Sequence, residues 1–334
     1  MNDQSTTTPY LDKYGNDISK QIALEPEKYR AFERESITNR ILVSLLKQIQ
    51  NSPLLVGEAG VGKTAIVEDL ARQLLDSDVP ELKNKHVIQI SLSNLMKSSD
   101  GESFAFKFQN ILDELMAHKN TLIAFIDEIH QIVGTGAENS NSALDAGNIL
   151  KPALSRDDLQ IIGATTTKEF HDYIAQDGAL MRRFDLVEVP ELSYTQTQHV
   201  LQKVVPRLAQ NIRVDAVVQN QIMQLANRYM TDRFFPEKAI MLLDGAISLA
   251  KLKGMTEVSA EEVADIIHDD YHVPKYVINQ TTDERLANLS TGLQQRIIGQ
   301  QKALEKITMK ITNREAGLGA VSYTHLRAHE TGAY

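Results

Sequence analysis

The sequence predicts an α/β fold in which a five-stranded parallel sheet lies between two layers of helices, followed by a small all-helical domain. Before residue 190, five short runs of β-branched or large apolar residues alternate with amphipathic helical stretches. Continuous apolarity of this kind is typical of strands buried on both faces, as in a parallel sheet covered by helices. After residue 190 the strand pattern ends and only helical patterns follow.

The predicted strands are each bounded by turn or polar residues, and they comprise residues 54–56, 87–90, 122–126, 161–164 and 186–189. A helix is predicted for residues 64–75, after the first strand and a glycine-rich loop. Since parallel strands need crossover connections, the helices between them supply the two outer layers of the sandwich.

The all-helical domain is predicted to contain helices at residues 193–208, 216–230, 236–252 and 259–268. The first and last of them open on sequences that match capping boxes, Ser193 with Gln196 and Ser259 with Glu262. Pro236 stands in the first turn of the third helix, where its missing N–H group has no helical partner to lose.

The domain boundaries follow from changes in composition along the chain. Residues 1–20 are polar and contain Ser, Thr and Pro, so we expect a flexible leader. Residues 21–190 then form the α/β domain and residues 191–272 the helical domain, with no internal repeat. Residues 273–297 are predicted to be a linker that carries one helix.

The bulk composition excludes several classes of protein. Of 334 residues, 42% are hydrophobic and 24% charged, as in ordinary globular proteins. The absence of cysteine excludes disulfides and thiol catalysis and argues against structural zinc. No apolar run approaches the roughly 20 residues of a membrane helix, and the N-terminus is no signal peptide. A net charge of −9 gives no drive towards nucleic acid. We therefore expect a cytoplasmic protein without membrane or nucleic-acid partners.

A glycine-rich motif joins the first predicted strand to its helix, where the chain matches GxxxxGK[ST]. Its glycines let backbone N–H groups converge on phosphate oxygens, and the helix start adds partial positive charge. Lys63 would reach the β- and γ-phosphates, and the Thr64 hydroxyl would bind Mg²⁺. The motif predicts that ATP is bound by Gly57, Glu58, Ala59, Gly60, Val61, Gly62, Lys63 and Thr64.

Two adjacent carboxylates, Asp127 and Glu128, end the predicted strand at residues 122–126. Ligands of open α/β sheets bind beyond the carboxyl ends of the strands, which is where both this pair and the glycine-rich motif fall. We expect Asp127 to bind Mg²⁺ through water and Glu128 to polarise the attacking water as a general base. The sequence thus predicts ATP hydrolysis as well as ATP binding.

Longer blocks of sequence surround these motifs. They read NSPLLVGEAGVGKTAIVEDLA at residues 51–71, FIDEIHQIVGTG at 125–136 and ALDAGNILKPALSR at 143–156, with further blocks at 161–174 and 179–189. Through these blocks, over residues 11–318, the chain resembles the Clp family of AAA+ protein unfoldases, and in particular the first ATPase ring of its two-ring members. The resemblance implies a AAA+ P-loop NTPase with a helical lid, a hexameric ring, protein substrates and, in some members, a separate peptidase.

The resemblance also implies roles for residues outside the two motifs. Thr166 matches the sensor residue that responds to the γ-phosphate. Arg182 and Arg183 match the paired arginines that the family presents to the ATP of a neighbouring subunit, where a cation supplied in trans neutralises charge on the transferred phosphoryl group. Lys238 lies on the predicted lid near the position of a second sensor, although its place on a helix favours an exposed lysine.

Two segments depart from the family pattern. Residues 96–104 stand where the family has a substrate-gripping pore loop, but there is no aromatic residue at the position of its tyrosine. Phe104, Phe106 and Phe108 follow, and we interpret them as packing residues. Glu33 replaces a glycine of the segment that packs near the adenine, which predicts altered base contacts. The lid has no long coiled-coil insertion, and this favours members other than the disaggregating ones.

The end of the chain divides into two segments. Residues 298–320 resemble the start of a second AAA+ domain, but no second phosphate loop follows. Residues 321–334 match a translated sequencing-library adapter, and we interpret them as an artefact. The pair His325 and His329, although spaced like a metal site, is discounted for the same reason.

Several functional hypotheses remain open at this point. The favoured one is an ATP-driven unfoldase or chaperone ring, either feeding a peptidase or acting alone. An alternative is a ring whose first ATPase domain mainly supports ATP-dependent assembly while a second domain threads the substrate. A nucleic-acid AAA+ protein is disfavoured by the acidic charge and the lack of a DNA-binding motif.

Overall fold

The computed structural model describes residues 8–97, 101–133, 141–154, 159–279, 289, 292–295, 297 and 299–315. The chain divides into two compact units, Met1–Ile266 and Ile267–Tyr334. The first unit contains the α/β domain and most of the helical lid. The predicted adapter segment at residues 321–334, with its two histidines, lies outside the described residues.

A six-stranded sheet forms the centre of the first unit, in the order β1-β3-β4-β5-β2-β6. All five predicted strands form and pair in parallel. The sixth, β1, is antiparallel to β3 and lies at one edge, so the prediction of five strands was one short. The strands are β1 Gly15–Asp17, β2 Ser52–Val56, β3 His86–Ile90, β4 Leu122–Ile126, β5 Ile161–Thr165 and β6 Phe184–Glu188.

The prediction of a flexible leader at residues 1–20 is wrong from residue 9 onward. Helix α1 (Pro9–Tyr14) leads into β1, and helix α2 (Ile18–Leu24) follows. The Glu114 carboxylate accepts hydrogen bonds from the backbone N–H groups of Tyr10 and Leu11, at 3.0 and 2.8 Å. Leu11 and Tyr14 are buried in the core. The polar composition of these residues did not predict the two helices and the strand, because they are stabilised by residues far along the chain rather than by a local sequence pattern.

Both faces of the sheet are covered, as the continuous apolar runs predict. Consecutive residues of one strand belong to opposite cores, so that Leu54 packs in one cluster and Leu55 in the other. In β4, Ala124 and Ile126 face the first cluster, while Ile123 and Phe125 face the second. Only the edges of the sheet and the ends of its strands are therefore left to form a binding site.

Helices of the α/β domain connect the strands and make up the outer layers. A 3₁₀ turn at Pro26–Tyr29 and a π-helical turn at Phe170–Ile174 interrupt the regular pattern. The α-helices are α3 Glu35–Leu45, α4 Lys63–Leu75, α5 Leu92–Lys97, α6 Phe104–Ala117, α7 His130–Val133, α8 Asn141–Leu154, α9 Thr167–Glu169 and α10 Gly178–Met181.

The lid follows as four helices close to the predicted bounds: α11 Tyr194–Ala209, α12 Ala216–Tyr229, α13 Glu237–Leu252 and α14 Ala260–Tyr271. The predicted capping box at Ser193 and Gln196 is present in both directions. The second box is incomplete. The Glu262 carboxylate accepts from the Ser259 N–H at 3.0 Å, but the Ser259 hydroxyl accepts from the N–H of Glu261 instead of Glu262.

The second unit begins within the last turns of α14. It contains the short helix α15 (Lys275–Ile278) and a helix at Gln301–Glu315, which falls in the segment predicted to start a second domain. This last helix exposes Ile307, Met309 and Ile311. Among the residues that the structure describes, no helix is long and apolar enough to cross a membrane.

Candidate functional site

The glycine-rich motif forms the turn between β2 and α4, as predicted. A side chain on Gly57 would place its Cβ only 2.2 Å from the carbonyl oxygen of Val189, so the strand end and the loop need glycine there. Gly60 and Gly62 have φ angles of +81° and +95°, which side chains rarely adopt. These glycines give the loop the tight curvature that turns backbone N–H groups towards one concavity.

A cavity of about 450 Å³ lies against this loop. Three strand ends surround it, since β2, β4 and β5 are parallel neighbours and their carboxyl ends meet at the same edge. On the other side, the cavity is closed by helix α13 of the lid and by Pro236, which precedes it. The lining residues are Ala59, Gly60, Gly62, Lys63, Thr64, Ala65, Asp127, Glu128, Thr165, Thr166, Pro236, Glu237, Ile240 and Met241.

Three predicted loop residues support the cavity without lining it. Gly57 packs on Val189, and the carbonyl oxygens of Gly57 and Glu58 accept hydrogen bonds from the Lys63 ammonium group. Val61 is fully buried in the core on the α4 side of the sheet. Within the motif, some residues therefore line the cavity, whereas Gly57, Glu58 and Val61 anchor the loop to the rest of the domain.

The ammonium group of Lys63 lies folded over its own loop. Its Nζ atom donates to the carbonyl oxygens of Gly57 at 2.7 Å and Glu58 at 3.0 Å. Burial lowers the pKa of Lys63, and the negative charge of Asp127, Glu58, Glu169 and Glu128 opposes that shift. A half-buried ammonium ion with neutral hydrogen-bond partners would gain from an anionic ligand in the cavity.

Thr64 and Asp127 are joined directly across the cavity floor. The Thr64 hydroxyl donates to Oδ2 of Asp127, with 3.0 Å between the two oxygens. A hydroxyl and a carboxylate are hard oxygen donors of the type that Mg²⁺ prefers, and nucleotide phosphates and water supply its remaining ligands in such sites. The donor set therefore fits the predicted magnesium ion.

Glu128 has an unusual backbone conformation, with φ of +50°. The Asp127 Oδ1 atom accepts from the Glu128 N–H at 2.9 Å, and Gln131 donates to the Glu128 carboxylate. Left-handed backbone at a residue with a side chain costs on the order of 1–3 kcal/mol and is often retained at functional sites. Here it accompanies a carboxylate exposed on the wall of the cavity.

Thr166 lies at the end of β5, on the same edge of the sheet. Its hydroxyl accepts a hydrogen bond from the N–H of Glu169 at 3.3 Å and so caps α9. The preceding residue, Thr165, bonds through its hydroxyl to Nδ1 of His130 at 3.1 Å. The structure therefore brings Thr166 to the cavity together with the motif residues and the acidic pair.

Arg182 and Arg183 do not line the cavity. They precede β6, and Phe184 pairs with Ser52 at the amino end of β2. Strands of five residues span roughly 15 Å, so the two arginines lie at the opposite end of the sheet from their own phosphate loop. The Gln50 side-chain amide donates a hydrogen bond to the carbonyl oxygen of Arg182, with 3.1 Å between the nitrogen and the oxygen.

Lys238 is buried, so the prediction of an exposed helix lysine is wrong. It is only 7% exposed, and its ammonium group lies 4.1 Å from the centre of the Phe235 ring. Glu191 pairs with it at 3.4 Å. Such a long side chain can cover an aromatic ring while its charge meets a carboxylate, so Lys238 ties α13 to the segment between β6 and α11.

The lid residues of the cavity were not predicted from the sequence. Glu237 approaches so closely that a Cβ on Gly60 would lie 2.1 Å from its carboxylate. Arg233 is 4.0 Å from the same carboxylate and donates to the Met241 sulfur at 3.2 Å. No local motif marks these residues, because their position depends on how the lid packs.

The segment before α3 carries a further supporting residue. The guanidinium of buried Arg34 donates to the Val61 carbonyl at 2.7 Å, and burial lowers the pKa of Arg34 to about 10. Glu33 adopts a φ of +61°, the conformation favoured by the glycine that it replaces in the family pattern. Its carboxylate lies 3.3 Å from Nδ1 of His199 on α11.

The aromatic residues after the expected pore loop divide into two groups. Phe104 and Phe108 are buried and stacked, with 5.8 Å between ring centres, as a packing role predicts. Phe106 also packs, since its ring meets that of Tyr10 edge to face, but its side chain is 53% exposed and lies outside the core. Residues 98–100 of the loop itself lie outside the described residues.

Comparison with known proteins identifies the family of the chain. Residues 53–191 match the model of the ATPase family associated with various cellular activities (AAA), and residues 193–294 match the AAA lid domain. The class of protein is thereby defined as a AAA ATPase with its lid.

Three individual relatives show which AAA ATPases this chain is similar to. The chain is 32% identical to the ATP-dependent Clp protease ATP-binding subunit ClpC of Staphylococcus aureus (strain USA300), over 94% of this chain and 46% of the relative. It is 34% identical to the chaperone protein ClpB of Corynebacterium efficiens, over 92% of this chain and 36% of the relative. The Hsp104–ADP complex of S. cerevisiae has a TM-score of 0.81 and 31% identity, over 93% of this chain and 54% of that one.

The chain therefore belongs to the AAA ATPases and is homologous to the Clp/Hsp100 chaperones over their first ATPase ring. This membership supports ATP hydrolysis as the reaction of its AAA domain. The chain spans about half the length, or less, of the relatives that it matches.

Proposed function

We propose that this site hydrolyses ATP to drive the unfolding or remodelling of other proteins, as the first ATPase domain of a Clp-like ring in the cytoplasm. The observation that carries the proposal is that one cavity unites the phosphate loop, Asp127, Glu128 and Thr166 with the lid. A cavity closed by a separate helical domain lets a change at the nucleotide alter the position of the lid.

Binding of the triphosphate falls to the loop and α4. The backbone N–H groups of residues 57–64 would donate hydrogen bonds to phosphate oxygens in their concavity, and the Lys63 ammonium group would exchange its two carbonyl partners for the β- and γ-phosphates. The Thr64 hydroxyl and the Asp127 carboxylate would hold Mg²⁺, because their 3.0 Å contact places two hard oxygen donors together. Bound Mg²⁺ would neutralise charge on the phosphate oxygens.

Hydrolysis falls to Glu128, which polarises the attacking water as general base. Its exposed carboxylate and its strained backbone, fixed by Asp127 and Gln131, place it on the cavity wall rather than in the core. Thr166 is the sensor, because its hydroxyl both lines the cavity and caps α9. While it accepts from the Glu169 N–H, the same hydroxyl can donate to a phosphate oxygen, and this would link the nucleotide state to that helix.

Arg182 and Arg183 act on the ATP of a neighbouring copy. Their position at the amino ends of the strands puts them beyond reach of their own cavity, and the family resemblance assigns them a role in trans. A guanidinium group offers planar, permanently charged donors to the transferred phosphoryl group. The active unit in this account is a hexameric ring.

The substrates in this account are proteins, either delivered to a peptidase or released by a free-standing chaperone. Solved structures of S. cerevisiae Hsp104 include a complex with casein, at 30% identity to this chain, and one relative is a Clp protease subunit. A second candidate is a ring whose first domain supports ATP-dependent assembly while a further domain threads the substrate. The absence of aromatic residues at positions 96–103 favours it.

The test is ATP-dependent unfolding of a fluorescent reporter protein that carries an unstructured tail. We expect the wild-type chain to quench the reporter and Glu128→Gln to fail while still binding ATP. Assembly and hydrolysis without any unfolding would support the second candidate. Unfolding at an equal rate by wild type and Glu128→Gln would contradict the proposal.

A further inference from the structure

A short segment before α3, residues 26–34, connects the α/β domain to the lid. Its 3₁₀ turn packs against α4, and Tyr29 packs against the core on that side of the sheet. At its other end, the guanidinium of Arg34 donates to the carbonyl oxygen of Val61 in the phosphate loop. The segment is therefore attached to the α/β domain at both ends and directly contacts the loop that faces the cavity.

The lid helix α11 contacts the same segment at two points. Nδ1 of His199 lies 3.3 Å from the Glu33 carboxylate, and the ring nitrogen is the donor because a carboxylate only accepts. Two turns further along α11, Arg207 donates to the carbonyl oxygen of Lys28. Side chains of the lid therefore hold α11 near both ends of the segment.

Arg207 also interacts with an acid of the α/β domain. Burial raises the pKa of Glu68 on α4, and the positive charge of Arg207 opposes that shift. This second tether keeps α11 near the segment on its own. Loss of the contact between Glu33 and His199 should therefore loosen the lid rather than detach it.

The backbone of Glu33 is strained. Its φ of +61° lies in the left-handed region, which glycine adopts freely and other residues rarely adopt. The family pattern has glycine at this position, so this chain keeps the strained backbone together with a carboxylate that glycine lacks. Retained strain of this kind points to a function for the side chain, and the partner of that side chain is His199.

Movement of α11 would change the nucleotide cavity, because α11 packs against α13. The lid side of the cavity is formed by Pro236 and by Glu237, Ile240 and Met241 of α13. A tether on α11 therefore limits how far this wall can move away from the phosphate loop.

We propose that Glu33 is a positioning residue that slows the release of bound nucleotide, because through His199 it holds α11, and with it the lid wall of the cavity, against residues 26–34. The inference rests on the proposed use of this cavity for ATP and names a residue that controls how long the product ADP stays there. The side chains of His199 and Glu33 are 58% and 32% exposed, so water screens the pair and its effect on the release rate is about two- to fivefold.

Release of a fluorescent nucleotide tests the inference in the full chain. The N-methylanthraniloyl derivative of ADP is bound with Mg²⁺ and chased with excess unlabelled ADP, and the fall in fluorescence gives the release rate. We expect Glu33→Gly, which keeps the left-handed backbone and removes the carboxylate, to release nucleotide about two- to fivefold faster than wild type. His199→Ala should do the same, and the double variant should be no faster than either single variant. Glu33→Gln keeps an oxygen that can accept from His199 and should stay closer to wild type.

The control is Glu27→Ala, at an exposed glutamate of the same segment, which should release nucleotide like wild type. Release at the wild-type rate from both Glu33→Gly and His199→Ala would overturn the role of Glu33 and leave the proposed function standing. Effects that multiply in the double variant would also overturn it, because the two residues would then act separately. A wild-type chain that binds no nucleotide would overturn both the inference and the proposed function.

Discussion

The hydroxyl of Thr64 donates a hydrogen bond to the carboxylate of Asp127, with 3.0 Å between Oγ1 and Oδ2. The two residues are 63 positions apart in sequence and come from the helix after β2 and the end of β4. This contact links the phosphate loop to the acidic pair. It turns two separate sequence motifs into one site.

Asp127→Asn should weaken the effect of magnesium on ATP binding. A carboxylate that holds the metal through water typically contributes about 10- to 100-fold to metal affinity. We expect wild-type affinity for ATP to fall when Mg²⁺ is removed with EDTA, and the variant to show a smaller difference. Asp172→Asn, at an exposed carboxylate outside the cavity, is the control. Identical magnesium dependence in Asp127→Asn and wild type would disprove the assignment.

Lys63→Met should abolish ATP binding yet stabilise the protein without nucleotide. Burial lowers the pKa of Lys63, so the charged form is less favourable in the folded than in the unfolded chain. The folded state binds fewer protons, and wild-type stability therefore rises with pH between the lowered pKa and the ordinary value of 10.5. Urea unfolding should show the advantage of the variant at neutral pH and its decrease towards pH 10. An advantage that grows with pH would contradict this account.

Gly57→Ala and Gly62→Ala should differ in cost. The new Cβ at Gly57 would lie 2.2 Å from the Val189 carbonyl oxygen, so backbone must shift. At Gly62 nothing lies within 4 Å, and only the left-handed backbone opposes alanine, at about 1–2 kcal/mol. We expect Gly57→Ala to lower the free energy of unfolding by more than Gly62→Ala does. Equal losses in urea titrations would show that the Val189 contact is unimportant.

Arg182→Ala should act on the ATP of the neighbouring copy. An arginine supplied in trans accelerates phosphoryl transfer by on the order of 10³-fold or more in related reactions. Mixed with wild-type chains, the variant should lower the rate per wild-type subunit, because some intact cavities lose their arginine. Arg228→Ala, at an exposed arginine of α12, controls for loss of charge. A rate that depends only on the number of wild-type chains would rule out action in trans.

Local patterns predicted the five parallel strands, the lid helices and the cavity residues at the strand ends. Each of these depends on continuous apolarity, capping sequence or a motif that acts within a few residues. Strand β1 escaped prediction because three residues carry no usable pattern and form a strand only by pairing with β3. The burial of Leu11 likewise depends on α6, which lies far along the chain.

The lid side of the cavity was not predictable in the same way. Glu237 and Met241 reach the loop only because α13 packs over it, and no spacing in the sequence records that approach. Lys238 was expected to be exposed because charged helix residues usually are, yet it is buried and its ammonium group lies over the Phe235 ring. The sequence also did not show that Glu33 keeps the positive φ of the glycine that it replaces, or that Phe106 is 53% exposed.

In the proposed reaction Glu128 activates the water that attacks ATP in this cavity, and single-turnover hydrolysis tests this role most directly. ATP and Mg²⁺ are bound to wild type and to Glu128→Gln, and cleavage of the bound nucleotide is followed over time. We expect the variant to retain ATP with little change in affinity and to cleave it about 10²- to 10⁴-fold more slowly. Cleavage at the wild-type rate would contradict the account.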